Sequence, residues 1–103
     1  LVKNQTVKKI CKFDNLSCYD GNTRDIYINL NKWLYGSKQF FNDNPKSTIK
    51  DYREYVINHE MGHHLGRGHK KICDKNTNKA FIMIQQTLGN RGCKSNTKPL
   101  HNE

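Results

Sequence analysis

Between His59 and His69 the chain reads His-Glu-Met-Gly-His-His-Leu-Gly-Arg-Gly-His, and no other stretch restricts the fold as severely. For a chain of this composition, three histidines, a glutamate and a glycine fall into that register by chance with a probability on the order of 10⁻⁵, so the pattern reads as chemistry. Residues four apart on an α-helix differ by about 40° around the axis and lie roughly 6 Å apart, which brings the imidazoles of His59 and His63 to one metal ion. Glu60 lies about 100° round from His59, outside the ligand face but placed to hold a water at the metal, so it is the candidate general base. Gly66 comes one turn after His63, where a residue without Cβ can turn left-handed and end the helix. The chain then reverses, and His69 can supply a third nitrogen.

Three neutral histidines suit Zn²⁺, one per chain, and leave a fourth position for water; structural zinc is usually closed by four protein ligands. Zinc brings the pKa of such a water to about 7 and polarises a carbonyl oxygen, so with Glu60 as base the arrangement fits amide hydrolysis. The reading is a zinc-dependent endopeptidase acting on protein or peptide substrates. The alternative is an inactive, zinc-stabilised extracellular binding domain with its fourth position filled, Cys73 being the nearest filler.

A chain of 103 residues is expected to be one small domain with a thin core, and with 34% hydrophobic residues it would benefit from crosslinks or metal. The four cysteines, Cys11, Cys18, Cys73 and Cys93, contain no CxxC, which favours disulfides over a second zinc site. Three pairings are possible; we favour 11 with 18 and 73 with 93. Persistent disulfides imply an oxidising compartment, so an extracellular or cell-envelope location is expected. No signal peptide or long apolar span is present, and the chain reads as a domain excised from a longer one, with any export signal or anchor upstream. Asn4-Gln5-Thr6 and Asn15-Leu16-Ser17 are glycosylation sequons of low weight.

Eighteen basic against nine acidic residues give +9, enough for weak attraction to anionic polymers or an anionic envelope. The lysines are scattered and only four of the basic residues are Arg, so no specific nucleic-acid recognition is expected. A monomer is expected.

Residues 48–65 should form the long helix, opened by a capping box of Thr48 and Asp51 and carrying Ile49, Tyr52, Val56, His59 and His63 on one inward stripe. Upstream, Thr6 could cap a short helix bearing Val7, Ile10 and Cys11, while Leu1-Val2 could end a strand. Asp20-Gly21 suits a hairpin turn, and residues 25–30 alternate as a half-buried strand does. The aromatic-rich stretch 31–41 is expected to fill core more than to line a pocket. Residues 67–78 read as a polar loop, 80–84 as the only late apolar run and hence the floor beneath the site, and the last ten residues as a tail containing His101. His64 points away from the ligand stripe and reads as a surface residue.

The extended motif together with the later Met83 resembles the metzincin clan of zinc peptidases. The likeness is closer still to a little-characterised family of compact extracytoplasmic bacterial domains. It rests on Cys-Tyr-Asp-Gly at 18–21, Asn-Leu-Asn-Lys-Trp-Leu at 29–34, Tyr52-Arg53, Asn58-His59-Glu60, and Ile-Met-Ile-Gln-Gln-Thr-Leu-Gly at 82–89 before Gly92-Cys93. The resemblance implies an α+β fold, a minimal metzincin-like domain with a small sheet packed on the active-site helix, a methionine turn at Met83 and a short C-terminal segment. It also implies zinc ligation by His59, His63 and His69, the base role of Glu60, and the cysteine pairs 11–18 and 73–93. Two departures stand out. No tyrosine follows Met83, so transition-state stabilisation would fall to zinc and to backbone or amide donors, with Gln85 and Gln86 as candidates. The segment after His69 is short, which predicts a shallow cleft.

Overall fold

In the computed structural model, which describes residues 1–11, 16–100 and 103, helices cluster in the first two thirds of the chain. The elements are α1 (Asn4–Cys11), β1 (Cys18–Asp20), β2 (Asp25–Tyr27), α2 (Leu30–Tyr35), α3 (Lys38–Asp43) and α4 (Ile49–His64). Asn15 and His101 lie outside the described residues. The class is α+β, as the resemblance implied, and a radius of gyration of 13.1 Å is that of a folded chain of this length.

The Asp20-Gly21 turn joins β1 to β2 antiparallel, in the register Cys18↔Tyr27, Tyr19↔Ile26, Asp20↔Asp25, with the Asp20 carboxylate accepting from the Asn22 amide at 2.9 Å. The strand expected over 25–30 stops at Tyr27 because Asn29 has two other tasks. It forms an isolated parallel bridge with Val2, and its side chain caps α2 by accepting from Lys32 N–H at 3.0 Å. The same bridge fixes the chain at Val2, so α1 begins at Asn4 and Thr6 lies inside the helix instead of capping it. Val7 is fully buried, as its place on the apolar side of that helix predicts.

The stretch 31–41 is core only in part. Gly36, at φ +80°, breaks it into α2 and α3, and a Cβ there would stand 2.1 Å from the ring of Phe41. Phe40 is consequently delivered to α4, where it packs edge-on against Tyr52 at 5.3 Å between ring centroids. Leu34 and Tyr35 remain exposed, and Trp33 lies half-buried beneath the Arg53 guanidinium. None of them lines the cleft described below.

Helix α4 starts as expected: Thr48 and Asp51 form the reciprocal capping box. Its inward face carries Tyr52, Val56 and His59, and also Tyr55, Glu60 and Gly62, all buried. The main core joins Phe40, Tyr52, Tyr55, Val56, Ile82 and Met83, so the late apolar run does pass beneath the helix. After His64 no further helix or named strand occurs among the described residues. That half is held by the bridges Lys70↔Ile84 and Lys79↔Lys94 and by the Cys73–Cys93 disulfide.

The final residues do not form a free tail. Thr97 donates to the Glu54 carboxylate at 2.6 Å and its carbonyl accepts from Asn58, while Asn96 exchanges hydrogen bonds with the side chain of Gln86. The Glu103 carboxylate accepts from Ile82 N–H at 2.8 Å and Met83 N–H at 3.3 Å. Orphan donors in the turn 82–83 recruit this segment, which local sequence patterning does not register.

Candidate metal centre

Helix termination positions the third imidazole. Leu65 is the C-cap, Gly66 follows at φ +87°, Gly66 N–H donates to His63 O and Arg67 N–H to Gly62 O. This Schellman pattern satisfies two terminal carbonyls and reverses the chain, returning His69 to the helix face. One nitrogen from each of His59, His63 and His69 lies within 4.8 Å of the others. The ring centroids are 4.7 to 5.2 Å apart.

The hydrogen bonds on the far side of two rings fix their tautomers. His59 Nδ1 lies 2.7 Å from Ile82 O and His63 Nδ1 lies 2.8 Å from Arg67 O. A carbonyl only accepts, so each Nδ1 carries the proton and each Nε2 keeps a lone pair. His63 Nε2 then faces His69 Nε2 at 3.0 Å, the convergence expected of donors that share a cation. Burial, with a smaller contribution from His63 and His69, pushes His59 down to about 4, and burial also lowers His69. Burial thus favours the neutral form of both rings, the form that ligates metal. These three histidines can hold a metal ion.

Glu60 is buried beside them, and burial pushes its carboxyl up to about 7. Its Oε2 is enclosed and has no hydrogen-bond partner among the described residues. An orphaned carboxylate oxygen next to three converging imidazoles is a group that needs a water or a ligand to satisfy it.

The cleft that contains these groups has a volume of about 760 Å³. It is roomier than the short segment after His69 led one to expect, because its walls come from elsewhere. Its lining includes the Cys11–Cys18 disulfide, Leu16 and Tyr19, then Tyr52, Tyr55 and Val56 of α4, and Gln85, Thr87 and Leu88. His64, read as a plain surface residue, is half-buried with the edge of Tyr19 against its ring at 5.6 Å.

Met83 lies under α4, fully buried, with its main-chain carbonyl accepting from Lys70 N–H at 2.9 Å. Gly62 makes room for it: a Cβ on Gly62 would stand 2.3 Å from the Met83 sulfur. Both disulfides, 11–18 and 73–93, are present, which removes Cys73 from any ligand set. Gln86 is also excluded as a donor to substrate, since it is fully buried and its amide is spent on Asn96; Gln85 is exposed on the cleft. Two residues of the site were missed from sequence, Gly62 and Tyr55. Tyr55 stands one helical turn before His59, a spacing that could have marked it.

A family model described as "Protein of unknown function (DUF3152)" matches residues 1–98. No curated protein and no solved structure matches the chain.

Proposed function

The chain belongs to the DUF3152 family of proteins of unknown function, and from that premise we propose that it is a zinc-dependent endopeptidase of metzincin type. The observation that carries the reading is the enclosed, unpartnered Glu60 Oε2 in the same cleft as the three imidazoles of His59, His63 and His69. A purely structural metal site has no use for a buried carboxylate outside its ligand set, since enclosing an unsatisfied acceptor costs about 1–3 kcal/mol.

Three imidazole donors and no thiolate suit Zn²⁺. When bound, zinc supplies Lewis acidity to a peptide carbonyl and lowers the pKa of water. The protein's own part follows from its geometry. His59 and His63, each anchored through Nδ1–H to a main-chain carbonyl, hold their Nε2 atoms fixed. Glu60 removes a proton from water as the water oxygen adds to the peptide carbonyl carbon, and returns that proton to the amine nitrogen as the C–N bond breaks. The fit of Met83 against Gly62 supports its assignment as the methionine turn. Two disulfides support an extracellular or envelope setting, and among the described residues no helix is long and apolar enough to cross a membrane.

The decisive experiment is incubation of the zinc-loaded protein with a diverse peptide mixture, beside the Glu60→Gln variant. The expected result is cleavage by the wild type, blocked by chelator, and retention of one zinc with a loss of at least about 100-fold in turnover by the variant. Undiminished turnover by Glu60→Gln would remove Glu60 from the base role.

A further inference from the structure

We infer that Tyr55 is a positioning residue of the metal centre: its hydroxyl locks the floor segment 82–86 in register with α4 and thereby sets the direction of the His59 lone pair. The inference rests on the metal site proposed above but needs no statement about hydrolysis.

The Tyr55 hydroxyl has one proton and two lone pairs, and all three have a partner. It donates to Ile84 O at 2.7 Å, accepts from Gln86 N–H at 2.8 Å, and lies 3.2 Å from His59 Nδ1. With the hydroxyl proton committed to Ile84, the face turned to His59 is a lone pair. The His59 Nδ1–H is therefore shared between Ile82 O at 2.7 Å and Tyr55 Oη, two acceptors that together exclude the other tautomer. Two main-chain groups of the floor and one ring of the ligand set thus converge on a single hydroxyl of α4. Ile84 and Gln86 are fully buried, and Gln86 N–H also donates to Ile84 O at 2.8 Å, so the hydroxyl joins a main-chain pair that is already closed on itself and ties it to α4.

Register is what the bond controls. His59 finds its carbonyl on Ile82, only two residues before Ile84, and Met83 between them sits in the space left by Gly62. Without the hydroxyl, Met83 and the Glu103 carboxylate still hold the floor, but its Ile84–Gln86 end is no longer tied to α4 and the His59 ring loses one of its two acceptors, so the ring can rotate about the bond to Ile82. The aromatic ring has a separate role, packing against Phe40 at 5.7 Å and His59 at 5.4 Å between centroids. Phenylalanine at this position preserves that packing and deletes only the hydroxyl.

The test is Tyr55→Phe in the full chain, read by competition of Zn²⁺ with a chromogenic chelator and by the visible absorption of the Co²⁺-loaded protein. Loss of a group that orients a ligand typically weakens metal binding 10–100-fold, so at least about a 10-fold loss of Zn²⁺ affinity is expected, with a changed Co²⁺ band shape. Val7→Ala, a fully buried position on α1 away from the cleft, serves as a control. It should lower the melting temperature while leaving affinity and the Co²⁺ spectrum unchanged. If Tyr55→Phe melts lower yet binds Zn²⁺ with wild-type affinity and spectrum, its hydroxyl only stabilises the fold and the inference is overturned. If the wild type itself binds neither ion, the metal centre falls and this inference with it. Absence of peptide cleavage by a wild type that binds zinc would touch the peptidase reading alone.

Discussion

Gly62→Ala isolates the contact on which the floor of the site depends, and two opposing effects make its sign informative. Alanine in place of a helical glycine favours the helix by about 1 kcal/mol, so in an uncrowded helix the change would stabilise. Here the new Cβ would stand 2.3 Å from Met83 Sδ and 3.3 Å from its Cε, where ordinary contact requires about 3.5–4.0 Å. Met83 is fully buried in the cluster with Tyr52, Tyr55 and Ile82, so the sulfur cannot swing into solvent. Overpacking of this kind costs about 1–3 kcal/mol, and enclosure argues for the upper half, leaving a net loss of about 1–2 kcal/mol. For a domain of this size that corresponds to a fall of roughly 5–15 °C in melting temperature. Calorimetric or circular-dichroism melts in excess chelator measure the packing effect apart from metal binding. Met83→Ala alone should cost about 2–5 kcal/mol. Because truncating Met83 removes the clash and leaves only the gain in helix propensity, the double variant should be more stable than the sum of the singles by about 2–3 kcal/mol. A rise in melting temperature for Gly62→Ala, or strict additivity in the double variant, would show that Met83 is not wedged beneath the helix.

The remaining expectations concern the crosslinks and the titration of the site. Replacing Cys73 and Cys93 together by Ser opens a loop of sequence separation 20 and should cost about 3 kcal/mol, measured as a lower denaturation midpoint. In excess chelator, His59 and Glu60 should pull the stability of the apoprotein in opposite directions. His59, depressed from 6.5 to about 4, adds stability as pH rises from about 4 to 6.5, because only the unfolded chain is protonated in that window. Glu60, raised from 4.5 to about 7, removes stability as pH rises from about 4.5 to 7, because only the unfolded chain is then ionised. The melting temperature of the wild-type apoprotein should accordingly rise less between about pH 4.5 and 6.5 than that of Glu60→Gln, in which His59 and His69 are unopposed; parallel profiles for the two proteins would contradict the burial of Glu60.

Much of the site was legible in the sequence because its determinants are local. The spacing of His59 and His63, the capping box at Thr48, and the stop at Gly66 are each decided within a turn or two of helix, where the period of 3.6 residues and the left-handed freedom of glycine leave few alternatives. The boundaries that went astray were those where a distant partner intervened. Asn29 left its strand for Val2 and a cap, Thr6 was drawn into a helix begun by the same bridge, and residues 94–100 were held by Glu54, Asn58 and Gln86.

By itself, then, the chain determined which residues could serve as ligands and that a helix would present two of them on one side. Only the tertiary structure decided what surrounds them. The enclosure that raises Glu60, the fit of Met83 against Gly62, the cleft walled by Tyr19 and the Cys11–Cys18 bridge, and the Tyr55 hydroxyl joining Ile84, Gln86 and His59 all bring together residues far apart in sequence. Burial and hydrogen-bond partnership are properties of neighbours in space, and a periodic pattern along one helix carries no information about which distant segment will pack against it.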